Sequence, residues 1–250
     1  MMPVLQIGPL AVQLPGLLVL LGVWIGSLTL DREAARRGLP AEALSKLVFY
    51  ALFVGLIGAR LGYALRYASA FIEDPLALFS LQPFTLSAPD GTLAATLFAW
   101  AYGRRARLPL WATLDALTPM AAVAAVFVAL SHLASGDAFG APSSVPWAVE
   151  LWGARRHPSQ VYELLAAAGV LGYVLTRNRT APAGWLFLSF VGLSAAGRLV
   201  LEAFRGDSVL IVGGIRTAQA AALAVLLAAQ FALHRRACRA SAEGRLEAPC

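Results

Sequence analysis

The sequence predicts an all-α, polytopic membrane protein with about seven transmembrane helices, and three observations predict it. Of 250 residues, 59% are hydrophobic and 14% charged, with a mean hydropathy of +0.69, which is too apolar for a soluble domain of this length. The apolar residues form continuous Leu/Ala-rich runs, each near the roughly 20 residues a helix needs to cross a bilayer core, without the alternation of a lipid-facing barrel strand. Lys and Arg fall in short clusters between the runs. The net charge of +6 therefore reads as membrane topology, and nucleic acid is not an expected partner.

The runs, taken in order, are 14–30, 48–68, 92–103, 111–133, 158–176, 183–204 and 216–234. Nothing positive precedes the first, while Arg32, Arg36 and Arg37 follow it, so it is expected to stay as an anchor and not to be cleaved as a signal peptide. The third is short. The odd-numbered connections and the C-terminal tail carry 13 Lys and Arg, against four (Arg155, Arg156, Arg205 and Arg216) on the other side. That bias puts the N-terminus outside and the C-terminus in the cytoplasm. The connections 69–91 and 134–157 then face outward and, being rich in Pro, Gly and Ser, read as loops or partly re-entrant segments. With no repeat, low-complexity tract or soluble segment, residues 1–250 read as one integral membrane domain. Cys238 and Cys250 lie in the polar tail with no CxxC spacing and no His beside them, so neither a disulfide, a metal nor a nucleophilic thiol is expected, and no cofactor is implied.

Ionisable residues inside the runs carry the functional signal. Each costs about 2.5 to 3.5 kcal/mol at membrane depth, so a chain that keeps several must pair them or use them. At a rise of about 1.5 Å per residue, Arg60 lies about 18 Å, Arg198 about 22 Å and Glu202 about 28 Å above the inner edge of their spans, and Glu163 roughly 8 Å below the outer edge of its own. All four are expected in the outer half, beneath the phospholipid head groups. Arg198, Glu202 and Arg205 are spaced i, i+4, i+7 and predict one charged helical face. It reads either as a self-neutralising ion pair or as a site where the surplus arginine grips a phosphate. Gly58 and Gly62 form a GxxxG pattern that predicts close helix packing. Arg60, Tyr63 and Tyr67 share a face, and Arg60 is expected to meet a carboxylate or an anionic ligand. Arg66 is expected to snorkel to the interface.

The stretch from Arg156 to Glu163 reads RHPSQVYE. Pro158 suits a first helical position with His157 as the cap and Gln160 reaching back to it, yet a cap leaves the deeper Glu163 unexplained. His157-Pro158-Ser159-Gln160-Val161-Tyr162-Glu163, the GARLGY of Gly58 to Tyr63, and the Arg198-x3-Glu202-x2-Arg205-x-Asp207 run, in that order and on seven spans, resemble the bacterial phosphatidylglycerol:prolipoprotein diacylglyceryl transferases.

That resemblance implies a multi-pass protein of the bacterial cytoplasmic membrane. It implies transfer of the diacylglyceryl group of phosphatidylglycerol to the lipobox cysteine of prolipoprotein signal peptides, with glycerol phosphate released. Arg60, Arg198 and Arg205 would stabilise the leaving charge, Glu163 and Glu202 would orient them, and Tyr63, His157, Gln160 and Tyr162 would complete the substrate-binding set. The family's Ser-Phe-His-Gly-Gly motif, whose His is implicated in catalysis, corresponds here to Ala88-Pro89-Asp90-Gly91-Thr92. Its Gly-Arg-x-Gly-Asn motif corresponds to a stretch in which Ala129 replaces the arginine and His132 the asparagine, and Pro15 stands where a tyrosine is common. Two readings follow: a divergent transferase in which His132 or Asp90 is the base, or a non-catalytic homologue that binds anionic phospholipid in the outer leaflet. A transporter is disfavoured by the lack of broken helices and inverted repeats.

Overall fold

A computed structural model of the chain describes residues 4–7, 10–79, 85–177, 181–210 and 216–242. A β-hairpin, β1 (Val4–Ile7) and β2 (Leu10–Gln13), leads into α1 (Leu14–Arg36). Then come α2 (Ala41–Arg66), the short α3 (Ala68–Glu73), a 3-10 turn (Pro75–Phe79), α4 (Ala88–Arg105) and α5 (Leu110–Ser135). A second hairpin, β3 (Val149–Leu151) and β4 (Ala154–Arg156), precedes α6 (Ser159–Thr176), α7 (Trp185–Leu201) with a 3-10 turn at Glu202–Phe204, and α8 (Thr217–Ala242). Each expected run lies on one of these long helices. Five of them, α1, α2, α5, α7 with its 3-10 turn, and α8, are long and apolar enough to cross a membrane; α4 and α6, 18 residues each, stand outside that group.

Strands, unexpected within the runs, are found outside them. The second hairpin turns on Trp152 and Gly153 at φ 55° and 72°, the left-handed pair that a two-residue turn requires. It gives the 134–157 connection an ordered scaffold. Helix ends also pass the apolar limits. Asp31 to Arg36 extend α1 because they are competent helix formers and Glu33 pairs with Arg36 at 3.0 Å. Likewise, α2 begins before its apolar run, where Lys46 reaches Glu42 at 2.6 Å.

The chain divides into two compact units, Leu30–Thr113 and Met1–Thr29 with Leu114–Cys250. In the Leu30–Thr113 unit, α2 packs along α4 at backbone proximity, as the GxxxG pattern predicts. A Cβ at Gly58 would collide with Ala94, one at Gly62 with Asp90, and one at Gly91 with Ala59. The short third run becomes the 18-residue α4 because Pro89 and Asp90 start the helix well.

In the other unit α7 packs on α8 and α6. Its core joins Ala122 of α5, Val174 of α6 and Leu186 of α7, with Val170 and Phe190 against them. Along α1, Gly22 lies against Phe127 and Gly26 against Met120, a small-residue contact of the kind that lets two helices approach closely. Buried Asp115 accepts the backbone N–H of Gly184 at 2.7 Å and of Phe187 at 2.8 Å. It thereby caps α7 from α5, its oxygens accepting N–H groups that the helix itself leaves unpaired. A correction also concerns Cys238: a histidine does stand beside it, His234 Nε2 at 3.7 Å, one helical turn back.

Candidate functional site

The RHPSQVYE stretch begins α6, although not as a self-capped helix. No side chain caps it. Ser159 Oγ donates to Ala138 O at 2.5 Å and the Gln160 amide to Asp137 O at 3.0 Å. The polar residues thus stitch the helix start to the preceding loop, which offers unpaired carbonyls that would be costly to bury. Gln160, expected among the substrate-binding residues, is buried against that loop. His157 sits edge-on to Phe204 at 5.3 Å and near Tyr162 at 6.3 Å, with Tyr162 and Phe204 5.7 Å apart. Gly140 is required beneath this cluster, since a Cβ there would strike the His157 carbonyl.

Glu163, one turn further on, meets His132 of α5: His132 Nδ1 and Glu163 Oε2 are 3.0 Å apart. A carboxylate on one ring nitrogen fixes the imidazole's orientation and leaves the other nitrogen for proton exchange.

Arg198, Glu202 and Arg205 cluster, but not along one helix. The α-helix stops at Leu201, Glu202 lies in the 3-10 turn, and Arg205 is extended. Buried Glu202 draws both arginines together, Arg198 Nη2 at 3.0 Å and Arg205 Nε at 3.8 Å from Oε2, while Ser208 Oγ donates to Oε1 at 2.6 Å. Arg216 donates to Glu202 O, and to Arg205 O at 2.8 Å. Arg205 places its fork on Asp207 at 2.9 and 2.6 Å. Glu202 is buried behind its partners. Arg198, ion-paired to Glu202 through Nη2, keeps a side chain that is 41% exposed.

These groups share a cleft of about 250 Å³ between α5, α6 and α7. Ser159, Glu163, Ser194, Arg198 and Arg205 supply its polar lining, whereas Ala125, Ala166, Val170, Phe190 and Gly197 make an apolar wall. Glu163 and Ser159 belong to the start of α6, Arg198 to the end of α7 and Arg205 to the segment just beyond it, so charge gathers at one end of the cleft. A site of that shape suits an anionic amphiphile: a planar guanidinium for a phosphate, small apolar residues for hydrocarbon.

The remaining expected residues belong to the Leu30–Thr113 unit. Arg60 donates to Leu78 O and Thr85 O, each at 2.9 Å, and lies over the Phe71 ring at 5.2 Å. Loop carbonyls thus accept from the charge that was expected to meet a carboxylate or an anionic ligand. Tyr63 lies tilted against Tyr67 at 4.7 Å and edge-on to Phe71 at 6.3 Å. Arg66 does not simply snorkel: Nη2 donates to Asp90 at 2.8 Å, and Ser87 Oγ donates to the same Asp90 oxygen at 2.5 Å. Asp90 is thereby a shared acceptor at the start of α4. Sequence reasoning did not find Ser159, Ser208 or Arg216. Their one signal was position, the serine inside the HPSQ motif and the arginine at the edge of the last run.

Among families of known proteins, the model described as prolipoprotein diacylglyceryl transferase matches residues 3–235. Similar curated proteins include the phosphatidylglycerol–prolipoprotein diacylglyceryl transferase of Shouchella clausii, 27% identical over 90% of this chain and 86% of that protein. Those of Sinorhizobium medicae, 31% identical over 81% and 78%, and Methylococcus capsulatus, 32% identical over 67% and 67%, carry the same name.

Proposed function

The chain belongs to the prolipoprotein diacylglyceryl transferase family, and from that premise we propose that it transfers the diacylglyceryl group of phosphatidylglycerol to the lipobox cysteine of prolipoprotein signal peptides. The cysteine thiol gives up its proton, and sulfur bonds to the glycerol carbon that carries the phosphate ester. That carbon's C–O bond breaks, and glycerol phosphate leaves with the electron pair. The observation that carries this reading is the cleft whose charged end holds Arg198 and Arg205 and whose wall is apolar. Arg198 receives the phosphate, where fixed positive charge stabilises the leaving group as the bond breaks. The His132–Glu163 pair accepts the thiol proton; a free thiol, with a pKa near 8.5, needs such a base at neutral pH. Asp90 serves this less well, because Arg66 and Ser87 already occupy its carboxylate. Tyr162 and His157 support the start of α6 beneath the head-group end, and Arg60 and Tyr63 order their own unit.

We read all seven long helices as spans of the bacterial cytoplasmic membrane, with the N-terminus outside; the 13-to-4 distribution of Lys and Arg supports this. We also read residues 1–250 as one functional domain, because a single family match runs across both compact units. The test is release of glycerol phosphate from phosphatidylglycerol by the purified protein with a lipobox peptide, with thioether formation followed on the peptide. Binding of phosphatidylglycerol without release or thioether would sink the transferase reading and establish the lipid-binding homologue in its place.

A further inference from the structure

We propose that Trp147 and Trp152, two indoles of the 134–157 connection, are positioning residues that fix the geometry of the His132–Glu163 pair. The proposal rests on reading that pair as the proton acceptor. His132 stands near the end of α5 and Glu163 near the start of α6, so their 3.0 Å contact depends on how two helix termini are held.

Each terminus is held by an indole N–H from the same loop. Trp152 Nε1 donates to Gly136 O at 3.1 Å, and the edge of its ring packs on Gly136. Gly136 is the left-handed residue (φ 76°) that closes α5, its N–H returning to His132 O at 2.9 Å. Trp147 Nε1 donates to Tyr162 OH at 2.6 Å, on the residue next to Glu163. Between the two tryptophans runs β3, paired in register with β4, so the spacing of the indoles is set by a hairpin.

The cost of this arrangement argues that it is used. Trp152 adopts φ 55°, a conformation that Gly or Asn takes far more readily than an aromatic residue. Burial does not account for the choice, because Trp152 is 56% and Trp147 62% exposed. What the two side chains do contribute is a pair of hydrogen bonds to the helix ends that carry the acid–base pair. The charged groups facing the pair within the cleft are Arg198 and Arg205, which line it together with Glu163.

The test replaces each indole by a ring that lacks the N–H. Trp147→Phe, Trp152→Phe and the double variant, as full-length protein in nanodiscs with labelled histidine, are titrated by imidazole NMR. Only three histidines are present, and loss of a signal in His132→Ala assigns His132. In the variants, the His132 midpoint is expected to move at least half of the way to its value in Glu163→Gln. The transfer rate should fall by about tenfold or more at unchanged KM for lipid, as displacement of a catalytic pair by an ångström would cause. Should the double variant fail to fold, the single variants carry the test. An unchanged His132 titration in folded variants would overturn the proposal. A moved titration with full transfer would uphold the clamp and sink the reading of His132 as proton acceptor.

Discussion

At the scale of single residues the proposed chemistry falls on Arg198, Arg205 and His132, and Arg198 and His132 can be tested apart. Arg198 keeps its charge in Arg198→Lys but loses the planar fork that matches a phosphate. Lipid turnover should fall at least tenfold while the protein inserts and folds normally, as judged by monodispersity and thermal melting; a lysine variant with wild-type kinetics would remove the phosphate-fork role. His132→Ala should abolish transfer and leave phosphatidylglycerol binding intact in a vesicle-binding assay, because Arg198 and the apolar wall remain. Transfer at full rate in that variant would exclude His132 as the base. The identity of these residues was legible in the chain, since ionisable groups inside apolar runs are rare and few. Their partners were not. Asp115 caps a helix 69 residues away, and His132 meets Glu163 across 31 residues; such pairings arise from packing, which periodicity does not encode. Arg60, expected to meet a carboxylate or an anionic ligand, donates to the loop carbonyls of Leu78 and Thr85, which hydropathy does not announce.

Among the helices, runs and their order were readable from hydropathy, and boundaries were not. Apolar periodicity stops where charges begin, whereas the helix continues as long as its residues form helix and its charges pair, as at Glu33 with Arg36 and Glu42 with Lys46. The α2–α4 contact gives the clearest test. Gly62 faces Asp90 so closely that Gly62→Val would drive the helices apart or expel Asp90 from its place beside Arg66 and Ser87. Overpacking of this kind destabilises by about 1 to 3 kcal/mol. A lowered melting temperature of the purified protein is therefore expected, with a smaller effect from Gly103→Ala on the facing helix α4, where a Cβ meets open space. Equal melting temperatures for Gly62→Val and the parent would contradict the close approach.

For the whole molecule the prediction concerns sidedness. In a background with Cys238 and Cys250 replaced, single cysteines at Ser143 and Ser241 should react with an impermeant maleimide from opposite sides of intact cells and inverted vesicles, Ser143 from outside. Labelling of both from one side would refute the orientation drawn from the Lys and Arg distribution. The division of the chain into an uninterrupted unit and one assembled from two distant segments was not legible in the sequence, because hydropathy marks each helix separately and carries no record of which helices adjoin.

That division has a consequence for biogenesis. Gly22 and Gly26 of α1 find their partners, Phe127 and Met120, on α5, and the whole of Leu30–Thr113 must leave the ribosome between them. At about 5 to 20 residues per second, α1 waits in the bilayer on the order of ten seconds with its small-residue face unmatched. During that interval the face is open to any other helix in the translocon's vicinity. A chain stalled after α4 should therefore be a target for membrane proteases, and the emergence of α5 is the step that commits the nascent protein to its fold.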